Sequence, residues 1–475
     1  MNALGIHGSW LSRMALRLSK WAERWFPDAY VFAAFGVIIV AMAAMTLGAG
    51  PQATAIAFGD GFWSLIPFTM QMTFVVIGGY VVATSPPVAW LIDRLASVPK
   101  SGRVAVAYVA VLSMLASLLN WGFSLVFGGL LVRSLARRSS LNMDYRAAGA
   151  AAYLGLGASW AMGLSSSAAQ LQANPASIPK TLLPITGVIP FTETIFLWQS
   201  IALTAILILV SALIAWWSAP GPSQAQPFGQ FVDVENVATK PACDTQMNRP
   251  IEWLERSPIL TILIVILALG WVGHEFASKA WYLAISNLNT YNFLFIMAGL
   301  LLHWRPRNFL DAVKRAVPST TGVLIQFPLY GGIATILTVA KGSDGRSVAE
   351  KLSWLFVHLA SKDTYALVIG AYSAVLGLFV PSGGGKWVVE APYVMQAASD
   401  LHYPLGWAVQ IYNAAEALPN LINPFWMLPL LGVLDLKARD IVGFTLLQLM
   451  VHIPLVLIML WTFGLTVAYH APMVP

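Results

Sequence analysis

Long apolar stretches, each near the roughly 20 residues that cross a bilayer as a helix, alternate with short polar connectors along this chain. They fit at about 28–50, 67–85, 145–180, 194–218, 258–274, 291–304, 319–340, 404–436 and 440–468. Two further segments, about 100–138 and 363–400, read differently: each has an apolar arm, a polar or Gly-rich tip, and a second apolar arm of similar length. The tips are Asn120-Trp121-Gly122 and Pro381-Ser382-Gly383-Gly384-Gly385-Lys386. Backbone that leaves a helix inside hydrocarbon strands N–H and C=O groups, so such breaks need protein, water or ligand to satisfy them. The pattern predicts two re-entrant helical hairpins.

Each hairpin is followed by an interrupted span. The first passes Tyr153, Gly155 and Gly157, then breaks through Gly163-Leu164-Ser165-Ser166-Ser167 toward Gln170, Asn174 and Pro175. The second passes Tyr412, Asn413 and Glu416, then breaks through Pro419-Asn420-Leu421-Ile422-Asn423-Pro424. Proline cannot donate and clashes with helix continuation, which frees carbonyls. Gly78-Gly79 recurs as Gly331-Gly332 in the span before each hairpin, and Asn174-Pro175 as Asn423-Pro424 in the broken span after it.

Composition agrees with the spans: 58% of residues are hydrophobic, 10% are charged, and mean hydropathy is +0.70. These values exclude an ordinary soluble domain. The single cysteine, Cys243, excludes a disulfide framework within one chain. The 27 Lys and Arg against 21 Asp and Glu lie between apolar runs, where orientation in the bilayer explains them and nucleic acid is not needed as a partner. Residues 1–27 read as an N-terminal amphipathic interfacial helix, with Arg13, Arg17, Lys20 and Arg24 along one face.

With that end cytoplasmic, Arg94/Lys100/Arg103, Arg133/Arg137/Arg138/Arg146, Arg305/Arg307/Lys314/Arg315 and Lys437/Arg439 fall inside, and 51–66 and 181–193 lack basic residues outside. Lys341, Arg346, Lys351 and Lys362 disagree, partly balanced by Asp344, Glu350 and Asp363. The same topology makes the hairpins enter from opposite sides. It predicts an all-α polytopic membrane protein with inverted-topology repeats, each holding a re-entrant hairpin and a discontinuous transmembrane helix. Repeat one covers 28–218 and repeat two 291–470, joined by a polar cytoplasmic linker, 219–257, and a connecting helix, 258–274.

The candidate site lies where the breaks converge. Helix N-termini after the tips present unpaired N–H groups that favour a carboxylate, and Gly383, Gly384 and Gly385 let backbone approach a small anion. The substrate-binding candidates are Asn120, Trp121, Gly122, Ser165, Ser166, Ser167, Ser382, Gly383, Gly384, Gly385, Lys386, Asn420 and Asn423. Freed carbonyls and Asn oxygens could coordinate Na⁺ near Asn120, Ser382 and Asn420, so Na⁺ or H⁺ is the expected coupling ion and no other cofactor is implied. Glu390 and Glu416 are the coupling candidates, because intramembrane charges point to function. Lys386 and Glu390, four apart, also fit a structural ion pair, and the Ser and Gly stretches also fit close helix packing. Trp121, Trp387 and Tyr412 either wall a pocket or simply pack. The histidines have no ligand spacing.

Leu119-Asn120-Trp121-Gly122, Val380-Pro381-Ser382-Gly383-Gly384-Gly385 and Asn423-Pro424-Phe425-Trp426, with Leu428-Pro429 after it, closely resemble the bacterial short-chain fatty acid transporter family of AtoE type. That family belongs to the larger ion-transporter superfamily that includes the dicarboxylate/sodium symporters. The resemblance runs nearly end to end. It implies an elevator-like transport domain around two hairpins, a homodimeric scaffold in the bilayer, a bacterial inner-membrane location, and short-chain carboxylates such as acetoacetate or butyrate as substrates.

Two positions and one three-residue patch depart from the family pattern. Lys386 and Glu390 stand where Gln is expected, and Ala161-Met162-Gly163 replaces a His-Gly-Gly-like patch, while the acidic position is kept as Glu416. A Lys ammonium there could stand in for a coupling cation or bind the carboxylate directly, and either role is an alternative to ordinary sodium coupling. The expected function is cation-coupled symport of short-chain monocarboxylates. A passive anion channel is the alternative, since re-entrant loops also line pores. An intramembrane acyl-handling enzyme is a weaker one, because the chain has no His-Glu-x-x-His pair or Gly-x-Ser-x-Gly elbow.

Overall fold

In lipid an apolar segment satisfies its backbone only as a helix or a closed barrel, and this chain takes the helical solution. The computed structural model describes residues 9–174, 178, 182–231, 252–279, 281, 284, 287–381 and 383–472. Ser382, Pro175, Cys243 and the middle of the 219–257 linker lie outside these. Among the described residues the one β feature is an isolated bridge between Lys341 and Ser347.

After α1 (Trp10–Trp25) come α2 (Ala29–Thr46), α3 (Pro51–Ser64), α4 (Ile66–Ala83) and α5 (Pro86–Ala96). The first hairpin is α6 (Gly102–Leu119) and α7 (Trp121–Ala136). The first broken span contains α8 (Tyr145–Leu154) and α9 (Ser167–Ala173), and α10 (Trp198–Ser218) follows it. The connecting helix α11 (Ile259–Ser278) leads to α12 (Leu288–His303), α13 (Pro306–Ala316), α14 (Thr321–Val339) and α15 (Val348–Leu359). The second hairpin is α16 (Tyr365–Phe379) and α17 (Gly383–Asp400). The second broken span is α18 (Leu405–Asn420) and α19 (Pro424–Leu434), and α20 (Ala438–Gly464) ends the order.

The order of α2 to α10 thus recurs in α12 to α20. Packing is reciprocal as well: α4 lies on α12 and α13, and α14 lies on α2 and α3. At the α3/α14 crossing a Cβ on Gly61 would sit 2.5 Å from the Gly331 carbonyl oxygen, and one on Gly331 would sit 2.4 Å from the Gly61 oxygen. The two backbones touch there, as small residues permit between membrane helices.

The segment expected as an outside connector, 51–66, is mostly helix. Pro51 starts α3 at its first turn, where its missing N–H costs nothing, and Pro51–Ala83 forms one apolar run of 33 residues. On the far side α13 and α14 likewise join into Pro306–Val339, 34 residues long. Six helices among the described residues are long and apolar enough to cross a membrane on length and composition.

Two of the basic residues that opposed the topology are engaged in local structure, Arg346 over the Trp354 ring and Lys351 in the loop before α15. Lys351 pairs with Asp344 at 3.1 Å and donates to the Leu47 carbonyl at 3.2 Å, tying this loop to the end of α2. The Lys351 ammonium bonded to Asp344 holds that carboxyl below its ordinary range. Glu350 closes a capping box with Ser347 at the start of α15.

The amphipathic α1 buries Ser12, Ala15, Ser19 and Ala22, and packs on α20. Its anchor is the buried Arg146, which reaches Glu23 at 2.9 Å and Asp144 at 3.1 Å and lies over the Phe444 ring. Removing one partner of a buried ion pair typically costs about 3–5 kcal/mol. Arg146→Ala is therefore expected to lower stability by about that amount, read as a fall in Tm of the purified protein. An unchanged Tm would show that α1 is not held this way.

Candidate substrate and coupling site

At the first tip Asn120 leaves the helix with extended backbone, φ −158° and ψ 125°. Its Oδ1 accepts hydrogen bonds from the N–H groups of Gly122 at 2.8 Å and Phe123 at 3.2 Å, capping α7. Trp121 meets Trp426 of the second broken span edge-on, with centroids 5.3 Å apart. Gly122 packs against Val75 of α4.

The first broken span runs from α8 through a π turn, Gly155–Ser159, and a 3₁₀ turn, Trp160–Met162, before the chain becomes irregular at Gly163. π turns leave the regular hydrogen-bond ladder locally and recur at functional sites. The Leu164 N–H donates to the Leu118 carbonyl at 2.8 Å, and Ser165 Oγ donates to the Ser117 carbonyl at 3.3 Å. Both acceptors end the first arm of hairpin one. Ser166 caps α9 by accepting from the Ala169 N–H at 3.4 Å. Trp160 and Ser167 face the other hairpin: a Cβ on Gly383 would lie 2.6 Å from Trp160 Cη2 and 3.5 Å from Ser167 Oγ. Only glycine fits at Gly383 without moving the indole. Gly384 also packs on Ser167, and Gly385 is exposed.

The second broken span bends by 56° between α18 and α19. Asn423 caps α19 through Oδ1, which accepts from the Phe425 N–H at 3.0 Å, and its Nδ2 donates to the Leu378 carbonyl at 3.1 Å, near the tip of hairpin two. The two broken spans meet where Tyr153 donates to the Asn420 carbonyl at 2.6 Å. The Asn420 side chain is fully buried, and neither Oδ1 nor Nδ2 has a hydrogen-bond partner. Buried amides are rarely left this way without a ligand or water to meet them.

Lys386, Glu390 and Glu416 gather in one buried cluster. The Lys386 ammonium donates to the Ser373 carbonyl at 2.8 Å and to Ser373 Oγ at 2.6 Å. It lies 2.7 Å from Glu416 Oε2, in ion contact rather than hydrogen-bond alignment, and 3.6 Å from Glu390 Oε2. Ser373 Oγ in turn donates to Glu390 Oε1 at 2.9 Å. The Tyr412 ring faces the ammonium at 4.4 Å, and its hydroxyl donates to the Gly383 carbonyl. Trp387, fully buried, closes the outer side of Tyr412 with centroids 4.7 Å apart.

Sequence reasoning paired Lys386 with Glu390 by spacing. It missed Ser373, whose signal was the one serine in the otherwise apolar and aromatic first arm, and Trp160, which seats the second tip. Of the positions suggested for Na⁺, Asn120 uses its oxygen in a cap, Ser382 is outside the described residues, and Asn420 keeps an unengaged oxygen.

A cavity of about 950 Å³ opens away from this cluster, lined by Asp93, Arg133, Arg137, Arg315, Gln326 and Asp435 among others. Its lining joins α4, α7, α14 and α19. Arg133 spans it to Asp435 at 3.2 Å. Another cavity, of about 510 Å³, includes Glu193, Trp198 and Trp407 in its lining. Neither lining includes Lys386, Glu390 or Glu416.

Two helix pairs broken at polar tips, broken spans that contact both tips, and a charge cluster buried within the second half make a multi-pass membrane protein. The family described as Short chain fatty acid transporter matches residues 10–463, and the chain belongs to that family. Two curated proteins provisionally named as short-chain fatty acid transporters are similar over nearly their whole lengths. One, from Escherichia coli strain K12, is 33% identical over 93% of this chain and 97% of its own. The other, from Haemophilus influenzae, is 30% identical over 95% of this chain and 99% of its own. Among solved structures, Neisseria gonorrhoeae MtrF aligns over 97% of this chain and 100% of its own at TM-score 0.42 and 13% identity. Alcanivorax borkumensis YdaH aligns over 92% and 98% at TM-score 0.42 and 15% identity. Likenesses at that level carry no inference about this chain.

Proposed function

We propose that this protein is a secondary active transporter of short-chain monocarboxylates, working by cation symport. In this reading the two hairpins and two broken spans form one body that holds the substrate and slides, elevator-like, against a scaffold of α2–α4 and α12–α14. The repeats are related by inversion, and the scaffold is homodimeric. The cavity lined by Arg133, Arg137, Arg315 and Lys437, with Asp28, Asp93 and Asp435 among them, is the inner vestibule.

The observation that carries the reading is Asn420. Its buried amide lacks partners, at the crossing of the two broken spans. A carboxylate accepting from Nδ2 would relieve half of that cost. Hydrogen bonds to charged groups are worth about 1.5–3 kcal/mol, so Asn420→Ala is expected to weaken uptake of acetoacetate about 10- to 100-fold. Its Tm should not fall, because no internal hydrogen bond of that side chain is lost. Asn120→Ala removes the α7 cap and is expected to reduce both uptake and stability, the latter by about 1 kcal/mol.

The test is uptake into proteoliposomes together with thermal unfolding of each variant. Normal uptake by Asn420→Ala would remove this residue from the site. Accumulation against a gradient separates a carrier from a passive channel.

A further inference from the structure

Symport requires a cation, and identifying that cation presupposes the monocarboxylate reading. We propose that Glu390 and Glu416, held around Lys386, bind one exchangeable proton per carboxylate transported, so that the symported cation is H⁺ and not Na⁺.

The first reason is occupancy. Lys386 Nζ sits among oxygens, with the Ser373 carbonyl at 2.8 Å, Ser373 Oγ at 2.6 Å, Glu416 Oε2 at 2.7 Å and Glu390 Oε2 at 3.6 Å. These are the hard oxygen donors a sodium ion would use. A tethered ammonium already fills their centre and cannot be released at either face. An exchangeable Na⁺ therefore has no place in this shell.

The second reason is charge. One ammonium and two carboxylates sum to −1, and the three side chains are 0–1% exposed. Carrying an unbalanced charge through the low-dielectric interior is costly. One proton neutralises the empty cluster. A bound carboxylate adds another −1, and a second proton cancels it. The empty and loaded forms then differ by one proton and one anion, and both cross the membrane uncharged.

The carboxylates have atoms available for this. Glu416 Oε1 and Glu390 Oε2 are buried without hydrogen-bond partners. At the open face an O–H bond forms on one carboxylate with a proton taken from water. At the other face that bond breaks and the proton returns to water as the substrate leaves. No bond of the substrate changes.

The surroundings contribute no competing charge. On α16, Tyr365 donates to the Val394 carbonyl and Tyr372 is bonded to Ser353 of α15. On α18, Tyr412 donates to Gly383. The charged or titratable groups of α15 are engaged elsewhere: Glu350 caps its helix, Lys351 pairs with Asp344, and His358 bonds to the Trp354 carbonyl. Asp400 of α17 accepts from Gln396. On α20, His452 is bonded to Ser211 of α10. Neither α9 nor the turns from Gly155 to Met162 carry an ionisable residue. Among the described residues no further ion pair joins the three.

The experiment uses the full-length protein in proteoliposomes, labelled acetoacetate as the probe, protein-free vesicles for passive flux, and potassium with valinomycin to set the membrane potential. An inward pH gradient is expected to drive accumulation of about tenfold per pH unit, with no response to Na⁺ or to membrane potential. Accumulation driven by Na⁺ and indifferent to the pH gradient would overturn proton coupling while leaving monocarboxylate transport intact. Absence of protein-dependent flux for any short acid under either gradient would overturn the transport reading beneath it.

Either single Gln variant keeps one carboxylate, which by the same charge sum still takes one proton on loading, whereas Glu390→Gln/Glu416→Gln leaves none and is expected to abolish the tenfold-per-unit response. An unaltered response in the double variant would overturn the assignment to these carboxylates. Where the double variant does not fold, Glu416→Asp withdraws the charge from Lys386 and should displace the pH of half-maximal accumulation. An identical profile would count against the proposal.

Discussion

Lys386→Gln alone is expected to lower the stability of the protein by about 3–5 kcal/mol, the usual consequence of leaving a buried charge without its partner. Glu390 and Glu416 would then face each other across Ser373 with no ammonium between them. Two outlets remain for the excess negative charge: protonation of both carboxylates, or capture of a cation by the vacated oxygens. Na⁺ fits the second, since the shell of Ser373 and glutamate oxygens persists. Millimolar Na⁺ should therefore raise the Tm of Lys386→Gln and not that of the unaltered protein, because a ligand bound only by the folded form stabilises it.

The paired variant Lys386→Gln/Glu390→Gln separates these effects. It removes one positive and one negative charge, keeps the net at −1, and installs the two glutamines that the family resemblance leads one to expect. Its stability should recover most of the loss, and its uptake of acetoacetate should become Na⁺-dependent. Thermal unfolding and uptake with and without Na⁺ decide the matter. A Lys386→Gln protein as stable as the original, with no response to Na⁺, would show that the ammonium does not occupy a cation position.

The helix breaks at the two tips were readable in the chain because lipid makes polar interruptions conspicuous. Asn120 and the run from Pro381 to Lys386 stand inside apolar arms that would otherwise continue as helix, and the structure breaks helices at both places. The short helices α3, α5 and α15 were not readable. Each is shorter than a span, and each mixes polar with apolar residues, so periodicity over 11 to 14 residues competes poorly with the long spans beside it.

The charge cluster was half visible. Lys386 and Glu390 share a helical face by spacing alone, whereas Glu416 and Ser373 reach them through tertiary packing of α17 on α16 and α18. The Asn residues show a different ambiguity. An Asn just before a helix can serve as a cap or as a ligand, and only the bonds from Gly122, Phe123 and Phe425 assign the oxygens of Asn120 and Asn423 to capping.

Locking α14 to α19 is expected to stop transport completely. These helices meet in an aromatic seam: Phe327 stacks on Phe425 at 4.0 Å, Phe68 on Phe327 at 5.9 Å, and Trp426 lies edge-on to Phe68 at 6.0 Å. Such ring contacts are worth about 0.5–1.5 kcal/mol each beyond burial. They are strong enough to define a resting position and weak enough to be exchanged during movement. In the elevator reading this seam is the sliding surface, and a covalent tie across it holds the mobile body still.

Gly322 and Leu428 supply the attachment points. A Cβ on Gly322 would lie 3.9 Å from Leu428 Cγ, and both residues line the cavity of about 950 Å³, where reagents can enter. In a Cys243→Ser background, Gly322→Cys/Leu428→Cys should cross-link under oxidant or a short bismaleimide. Uptake should then fall to that of protein-free vesicles and return when a disulfide tie is reduced. Each single cysteine should transport normally under the same treatment. If the tied protein still accumulates acetoacetate, the hairpins open in place and the body does not slide, because no rigid displacement of α19 past α14 can survive that bond.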